Sequence, residues 1–297
     1  MKALTVSCRC RMVMSGGPCP ILSWRHIDVA EGGSILLHSI SISVTRKRIW
    51  MHLKCLACEA LARPVYLAAA HTPHIVDVEL LQLGWHQDPD DLRARLQAKI
   101  TAASSGLETA YDAIVLAYGL CGRSTEGLRA EKIPIVLPRA HDCITLLLGS
   151  RARYQGEFTD YPGTYWYARD YVERNRGGSV LSLGAETFEI SRALYESYVE
   201  KYGEENAQYL MEVMGAWQAH YDRAVYVASG DFHSPAVEAQ AQAEAERRGW
   251  RFERVGGDLV LIRRLLWGEW GDDFLVVEPG QQVKMTYNTD IVTSLSV

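Results

Sequence analysis

The sequence predicts an α/β protein in which a parallel sheet is flanked by helices, arranged as two Rossmann-like lobes around a cleft. Three observations point there. From Met51 to Gly280, short apolar strands alternate with segments of helical period. Tyr111–Tyr118 is apolar throughout its middle, as expected of a strand covered on both faces. The residues with chemistry gather where strands give way to helices, the rim at which open α/β sheets bind ligands.

Residues 1–50 differ from the rest. Cys8, Cys10, Gly16, Gly17, Pro18 and Pro20 interrupt any regular element, and the interrupted apolar stretch does not fit a secretory signal. Only Ile35–Val44 alternates enough to pair as a strand. The segment is expected to be an upstream extension or disordered, with Met51 as the natural start. From there His52–Ala57 reads as a strand and Glu59–Ala70 as a helix that begins or kinks at Pro64. Ile75–Leu81 is a second strand. Asp88, Pro89 and Asp91 start a helix whose Leu92, Leu96 and Ile100 form one stripe. Tyr111–Tyr118 and Ile133–Leu137 are the third and fourth strands, completing a first lobe over 51–150. An aromatic stretch over 151–185 is expected as a lid or cleft wall. The second lobe, 186–280, holds helices at Ser191–Tyr202, Asn206–Ala219, 235–248 and Leu259–Trp267. Its strands fall at Ala224–Ala228, Arg251–Val255 and Phe274–Val277. Residues 281–297 are expected as a loose tail.

A net charge of −5 leaves no electrostatic footprint for nucleic acid or anionic lipid, and no apolar run approaches a membrane span. Seven cysteines, an odd number in a chain too large to need disulfide staples, fit a reducing cytoplasm.

Cys58 ends the first strand, Cys121 follows the third, and His141 and Cys143 follow the fourth. In a parallel sheet these ends face one rim, so four side chains distant in sequence can converge. Three thiols and an imidazole suit zinc or iron, with an open position for a small-molecule substrate. A reactive thiolate without metal, at Cys143 or Cys121, and plain packing of the cysteines are the alternatives. Cys55 should face away from Cys58. Glu59 and Asp142, each at a helix start, are candidate acid–base groups, with dipole compensation or capping as their other reading. Gly119 and Gly122 let the backbone approach a ligand beside Cys121, and Arg139 could clamp an anionic group, a structural ion pair being its alternative. Asp231 and His233 could close the cleft from the second lobe; Asp258, similarly placed, is second-rank because helix capping explains it.

These residues carry a resemblance. AlaCysGlu at 57–59, AYGLCG at 117–122, PRAHDCITLLLGSR at 138–151, PGTYW at 162–166 and the GDLVLIRRLLWGEW…FLVVEPG run resemble the DUF1638 family over about Met51–Gly280. The resemblance implies association with corrinoid-dependent methyl-transfer systems in one-carbon metabolism. A corrinoid cofactor, a corrinoid protein or a methyltransferase would then be the partner. A non-catalytic cofactor-binding or maturation role is the alternative it leaves open. Arg123 and Ser124 depart from the small or amide residues expected after GLCG.

Overall fold

The computed structural model describes residues 25–29, 35–39, 50–85, 88–105, 110–174, 199–200, 203–204, 206–207 and 221–297. The chain divides into two compact units, Met1–Arg48 and Ile49–Val297. In the first, β1 (Arg25–Val29) and β2 (Ile35–Ser39) pair as an antiparallel hairpin. Cys8, Cys10 and Cys19, and most of the helices expected over Ser191–Tyr202 and Asn206–Ala219, lie outside the described residues.

The second unit is a mixed α/β body. β3 (His52–Cys58), β4 (Ile75–Leu81), β5 (Ala113–Ala117) and β6 (Ile135–Pro138) form a parallel sheet. β10 (Phe274–Val277) closes one edge antiparallel to β6, giving the order β10–β6–β5–β3–β4. Every residue of β5 and β6 is buried, which is why these strands read as unbroken apolar runs.

The crossover helices start where local chemistry directs. A 3₁₀ turn over Glu59–Leu61 leads into α1 (Ala62–His71), and Pro64 falls in that helix's first turn, where its missing N–H costs nothing. α2 (Pro89–Ser105) has Pro89 at its first position, and Asp88 Oδ1 accepts the Asp91 amide at 3.0 Å. Its stripe of Leu92, Leu96 and Ile100 is buried in the main core.

The aromatic stretch after residue 150 is regular rather than a lid. It folds as α4 (Arg151–Asp160), β7 (Thr164–Tyr167) and α5 (Arg169–Glu173). β7 opens a second, three-stranded parallel sheet with β8 (Arg223–Ala228) and β9 (Arg251–Gly256). Alternation along these strands explains the aromatics. Tyr165, Tyr167, Ala224 and Tyr226 pack with Val237, Ala241 and Ala245 of α6 (Pro235–Arg248). Trp166, Val225 and Val227 point the other way into the main core. One charge is buried here. Arg223, 2% exposed, bonds Glu157 at 2.7 Å and Glu253 at 2.9 Å, beneath the Tyr161 ring at 4.2 Å.

The chain then returns to the first sheet. The N-cap of α7 (Val260–Leu266) is Leu259 rather than the expected Asp258, whose Oδ1 nevertheless accepts the Val260 amide; the helix packs against α1, β5 and β6. Phe274–Val277, expected in a second lobe, is β10 of the first sheet. The tail expected at 281–297 is an antiparallel hairpin of β11 (Gln281–Met285) and β12 (Val292–Ser296), with Val283 and Val292 fully buried. The sequence hid it because half of its residues are solvated.

The hairpin is tied down by Glu126, which bonds Lys284 Nζ at 2.9 Å, Arg123 Nη2 at 2.7 Å and the Met285 amide at 3.3 Å. Burial pushes its carboxyl up, but the hydrogen bonds from Lys284, Arg123 and Met285 outweigh burial and hold it at about 2. A depressed carboxyl stabilises the fold above its unfolded pKa and loses that contribution as pH falls through its folded value. Hydrogen exchange of β11 is therefore expected to accelerate, relative to β5, as pH is lowered from about 4.5 toward 2. A Glu126→Gln chain should lack that difference. Among the described residues no helix is long and apolar enough to cross a membrane.

Candidate functional site: a pocket of three thiols

The site lies at the carboxyl ends of the parallel strands. β3 has β4 on one side and β5 on the other, so the connections leaving it diverge at this rim. Cys58, the last residue of β3, is 6% exposed and caps the 3₁₀ turn. Cys143 is the first residue of α3 (Cys143–Leu148), whose N-cap is Asp142. Cys121 lies in the turn after β5.

That turn is held in an unusual backbone. Cys121, Gly122 and Arg123 have φ of 45°, 64° and 75°. Two of these left-handed residues are not glycine, a conformation that costs about 1–2 kcal/mol for each. Local bonds hold it. The Leu120 and Cys121 amides donate to the Ala140 and His141 carbonyls, both at 2.8 Å, and the Ser124 hydroxyl donates to the Cys121 carbonyl at 2.6 Å. Gly119 lies so close to the 140–143 segment that a Cβ there would be 2.5 Å from the Asp142 nitrogen. The loops after β5 and β6 thus run side by side, setting Cys121 next to His141.

Cys58, Cys121, His141 and Cys143 line one pocket of about 230 Å³ with Gln82, Leu83, Leu92, Tyr118, Gly122, Asp142 and Tyr171. All three thiols are free, and Cys143 hydrogen-bonds both of the others. Its bond to Cys58, helped by the Ala60 amide, lowers the Cys58 thiol below its ordinary value despite burial and the nearby Glu59 charge. The bonds to Cys121 and Cys58, together with burial, raise Cys143. The two thiols are thus shifted in opposite directions, Cys58 down and Cys143 up. Among the described residues no group of three or more His, Cys, Asp or Glu side chains is arranged to hold a metal ion as folded. The trio is a hydrogen-bonded thiol cluster rather than a preformed cage.

The other expected residues fall as follows. The His141 ring lies 6.0 Å from that of Tyr154, and its nitrogens make no hydrogen bond among the described residues. Asp142 is committed to structure: Oδ1 accepts the Ile144 amide at 3.0 Å and the Thr145 amide at 3.3 Å, and Oδ2 accepts the Tyr154 hydroxyl at 2.8 Å. Burial raises its carboxyl, the Tyr154, Thr145 and Ile144 bonds offsetting this only in part. Glu59 lies behind the pocket, where Oε2 accepts the Leu83 amide at 3.1 Å and so positions a wall residue. Gly122 lines the pocket; Gly119 serves the close approach described above. Arg139 is directed to the terminal hairpin, donating to the Val292 carbonyl and, at 3.3 Å, to that of Asp290. It takes no part in the pocket lining. Cys55 is fully buried outside the lining, its thiol pushed up to about 12 by burial, with Lys54 opposing. His233 pairs with Glu238 at 3.4 Å, away from the pocket, and Asp258 accepts the Val260 amide just before α7.

Tyr118 went unnoticed in the sequence, and Tyr171 was read only as part of the aromatic stretch expected as a lid or cleft wall. Tyr118, 2% exposed, has a hydroxyl with no partner. Burial, reinforced by the neighbouring cysteines, raises its hydroxyl well above the usual range. Tyr118 is the position after β5, where an apolar strand ends on a hydroxyl; that placement was the available signal. Tyr171 is held over the pocket because Asp170 in α5 accepts the Arg63 amide of α1 at 2.8 Å.

Fold and pocket together define an α/β protein with a thiol-rich pocket at the carboxyl ends of its parallel strands. The chain belongs to the family described as "Protein of unknown function (DUF1638)", whose model matches residues 80–266. No curated protein and no solved structure matches it.

Proposed function

We propose that the thiol pocket is the working site, and that Cys58, Cys121 and Cys143, with His141 beside them, take up zinc or ferrous iron to act on or bind a small molecule. The observation that carries this reading is the convergence of three free thiols, from three separate strand ends, on one pocket. Side-chain rotation about the shared protons would turn the cluster into a soft-donor set, releasing those protons. A bound ion would supply Lewis-acid activation of a substrate group or of a sulfur nucleophile. The protein's own part is to keep Cys58 as thiolate, to hold Cys143 as the proton reservoir, and to line the cavity with Leu83, Leu92 and Tyr171 against bulk water.

A second reading is favoured by the lowered Cys58 thiol: a nucleophilic thiolate with Cys143 returning the proton, in a metal-free cysteine enzyme. Two further expectations belong to the same proposal: the two sheets as Rossmann-like lobes around a cleft, and a cytoplasmic setting. So does the corrinoid link, whether as cofactor or through a methyltransferase partner; it rests on the resemblance alone. A non-catalytic binding or maturation role would share the pocket without turnover.

Zinc titration of the anaerobically purified chain against a chromophoric chelator tests the first reading. Near-stoichiometric uptake is expected, with proton release, and its loss in Cys143→Ala at unchanged circular dichroism. Absence of uptake by the folded wild-type chain refutes it. The second reading then expects iodoacetamide to alkylate Cys58 ahead of Cys143 below pH 9, and equal rates at the two thiols would exclude it.

A further inference from the structure

The largest cavity described lies beside the thiol pocket, between α3, the start of α4 and the tip of the terminal hairpin. Its volume is about 1110 Å³, and His141 lines both spaces. One wall is Gly149, Ser150, Arg151 and Ala152; the hairpin tip, including Tyr287 at 95% exposure, forms another.

Around this chamber the residues carry donors that the fold does not use. Ser150 caps the ten-residue α4, its hydroxyl accepting the Arg153 amide at 3.2 Å. The Arg151 and Ala152 amides are left without an intrahelical acceptor, at the positive end of the helix. Thr145, which lines the same chamber, is 1% exposed, and its hydroxyl has no partner. Arg151 donates through both terminal nitrogens, to the Asp272 carbonyl at 3.3 Å and to the Thr289 carbonyl, yet its Nε is buried without an acceptor. The one carboxylate in the lining, Asp273, is held by Arg264 at 2.6 Å and lies 3.9 Å from Arg151. A buried hydroxyl and guanidinium nitrogen left unbonded are costly unless something accepts from them.

We infer that this chamber is a second ligand site, which takes the carboxylate or phosphate group of a small organic molecule at Thr145, Arg151 and the start of α4. Leu120, Leu261, Met285 and Ile291 offer apolar cover for the rest of such a molecule. Its volume exceeds what a bare anion needs and suits a drug-sized ligand. Because His141 borders both spaces, a molecule anchored here by its anion reaches the edge of the thiol pocket. That last step rests on the proposed working site; the anion site does not.

The test is calorimetric titration of the full chain with inorganic phosphate and, separately, with succinate. Saturable binding of at least one is expected, and which one binds separates the phosphate from the carboxylate source. Thr145→Val removes the unpartnered hydroxyl at nearly constant shape, so its melting temperature should not fall, while affinity drops by about tenfold. Cys58→Ala should bind the anion as the wild type does, so failure of the thiol reading leaves this result intact. No saturable binding of either anion, or unchanged affinity in Thr145→Val, overturns the inference.

Discussion

Gly119→Ala is expected to destabilise the protein by about 3 kcal/mol and to abolish zinc uptake together with the differential reactivity of Cys58. The added Cβ would meet the Asp142 nitrogen, Cα and carbonyl carbon at 2.5, 2.6 and 2.8 Å. These are backbone atoms, so no side chain can swing aside. Either the loop after β5 or the start of α3 must move, and the two are joined by the Leu120–Ala140 and Cys121–His141 bonds. Movement of either parts Cys121 from Cys143. Gly156→Ala is the control: it lies in α4 with nothing within 4 Å of its would-be Cβ, and should be neutral or stabilising by roughly 0.5–1 kcal/mol. Thermal melting with chelator-monitored zinc titration checks both. A Gly119→Ala chain that melts like wild type would show that the two loops are not packed as described.

Arg223→Ala is expected to cost about 3–5 kcal/mol, the range for removing one partner of a buried ion pair. Arg223 carries the only positive charge that bonds both Glu157 and Glu253 among the described residues, and it also donates to the Thr164 hydroxyl at 3.2 Å. Its loss leaves Glu157 partly buried beside another carboxylate, and removes the cover over Tyr161. Adding Glu157→Gln should recover part of the loss, because the stranded charge goes with it. Urea unfolding of the wild type, both single variants and the double variant measures this. Additive losses in the double variant would mean that the pair is not coupled. The thiol pocket lies at the other sheet, so iodoacetamide reactivity of Cys58 should be unchanged in the molecules that remain folded.

β5 and β6 were legible as unbroken apolar runs, and β4 through the capped helix that follows it. The helix from Pro235 was equally plain, through Ser234, Pro235 and Gly249. β7 was missed because its tyrosines and tryptophan look like a loop's own packing until two opposite cores are known to receive them. β10 was seen as a strand but given to the wrong sheet, since nothing local says that Phe274 pairs with Pro138. The convergence of Cys58, Cys121, His141 and Cys143 followed from the rim rule alone. Arg139, Asp142 and Glu59 carry charge near that rim, yet their partners are the Val292 carbonyl, the α3 amides and the Leu83 amide. Sequence spacing does not distinguish a residue that holds a loop from one that meets a ligand.

The return of the chain to its first sheet has a consequence for synthesis. β6 leaves the ribosome with one flank unpaired, and the strand that covers it follows only after the whole second sheet has been translated. At about 5–20 residues per second, Ile135–Pro138 stays uncovered for many seconds. A nascent chain arrested before Phe274 would present that bare apolar edge to its neighbours on the polysome, and aggregation of such truncated products should begin there.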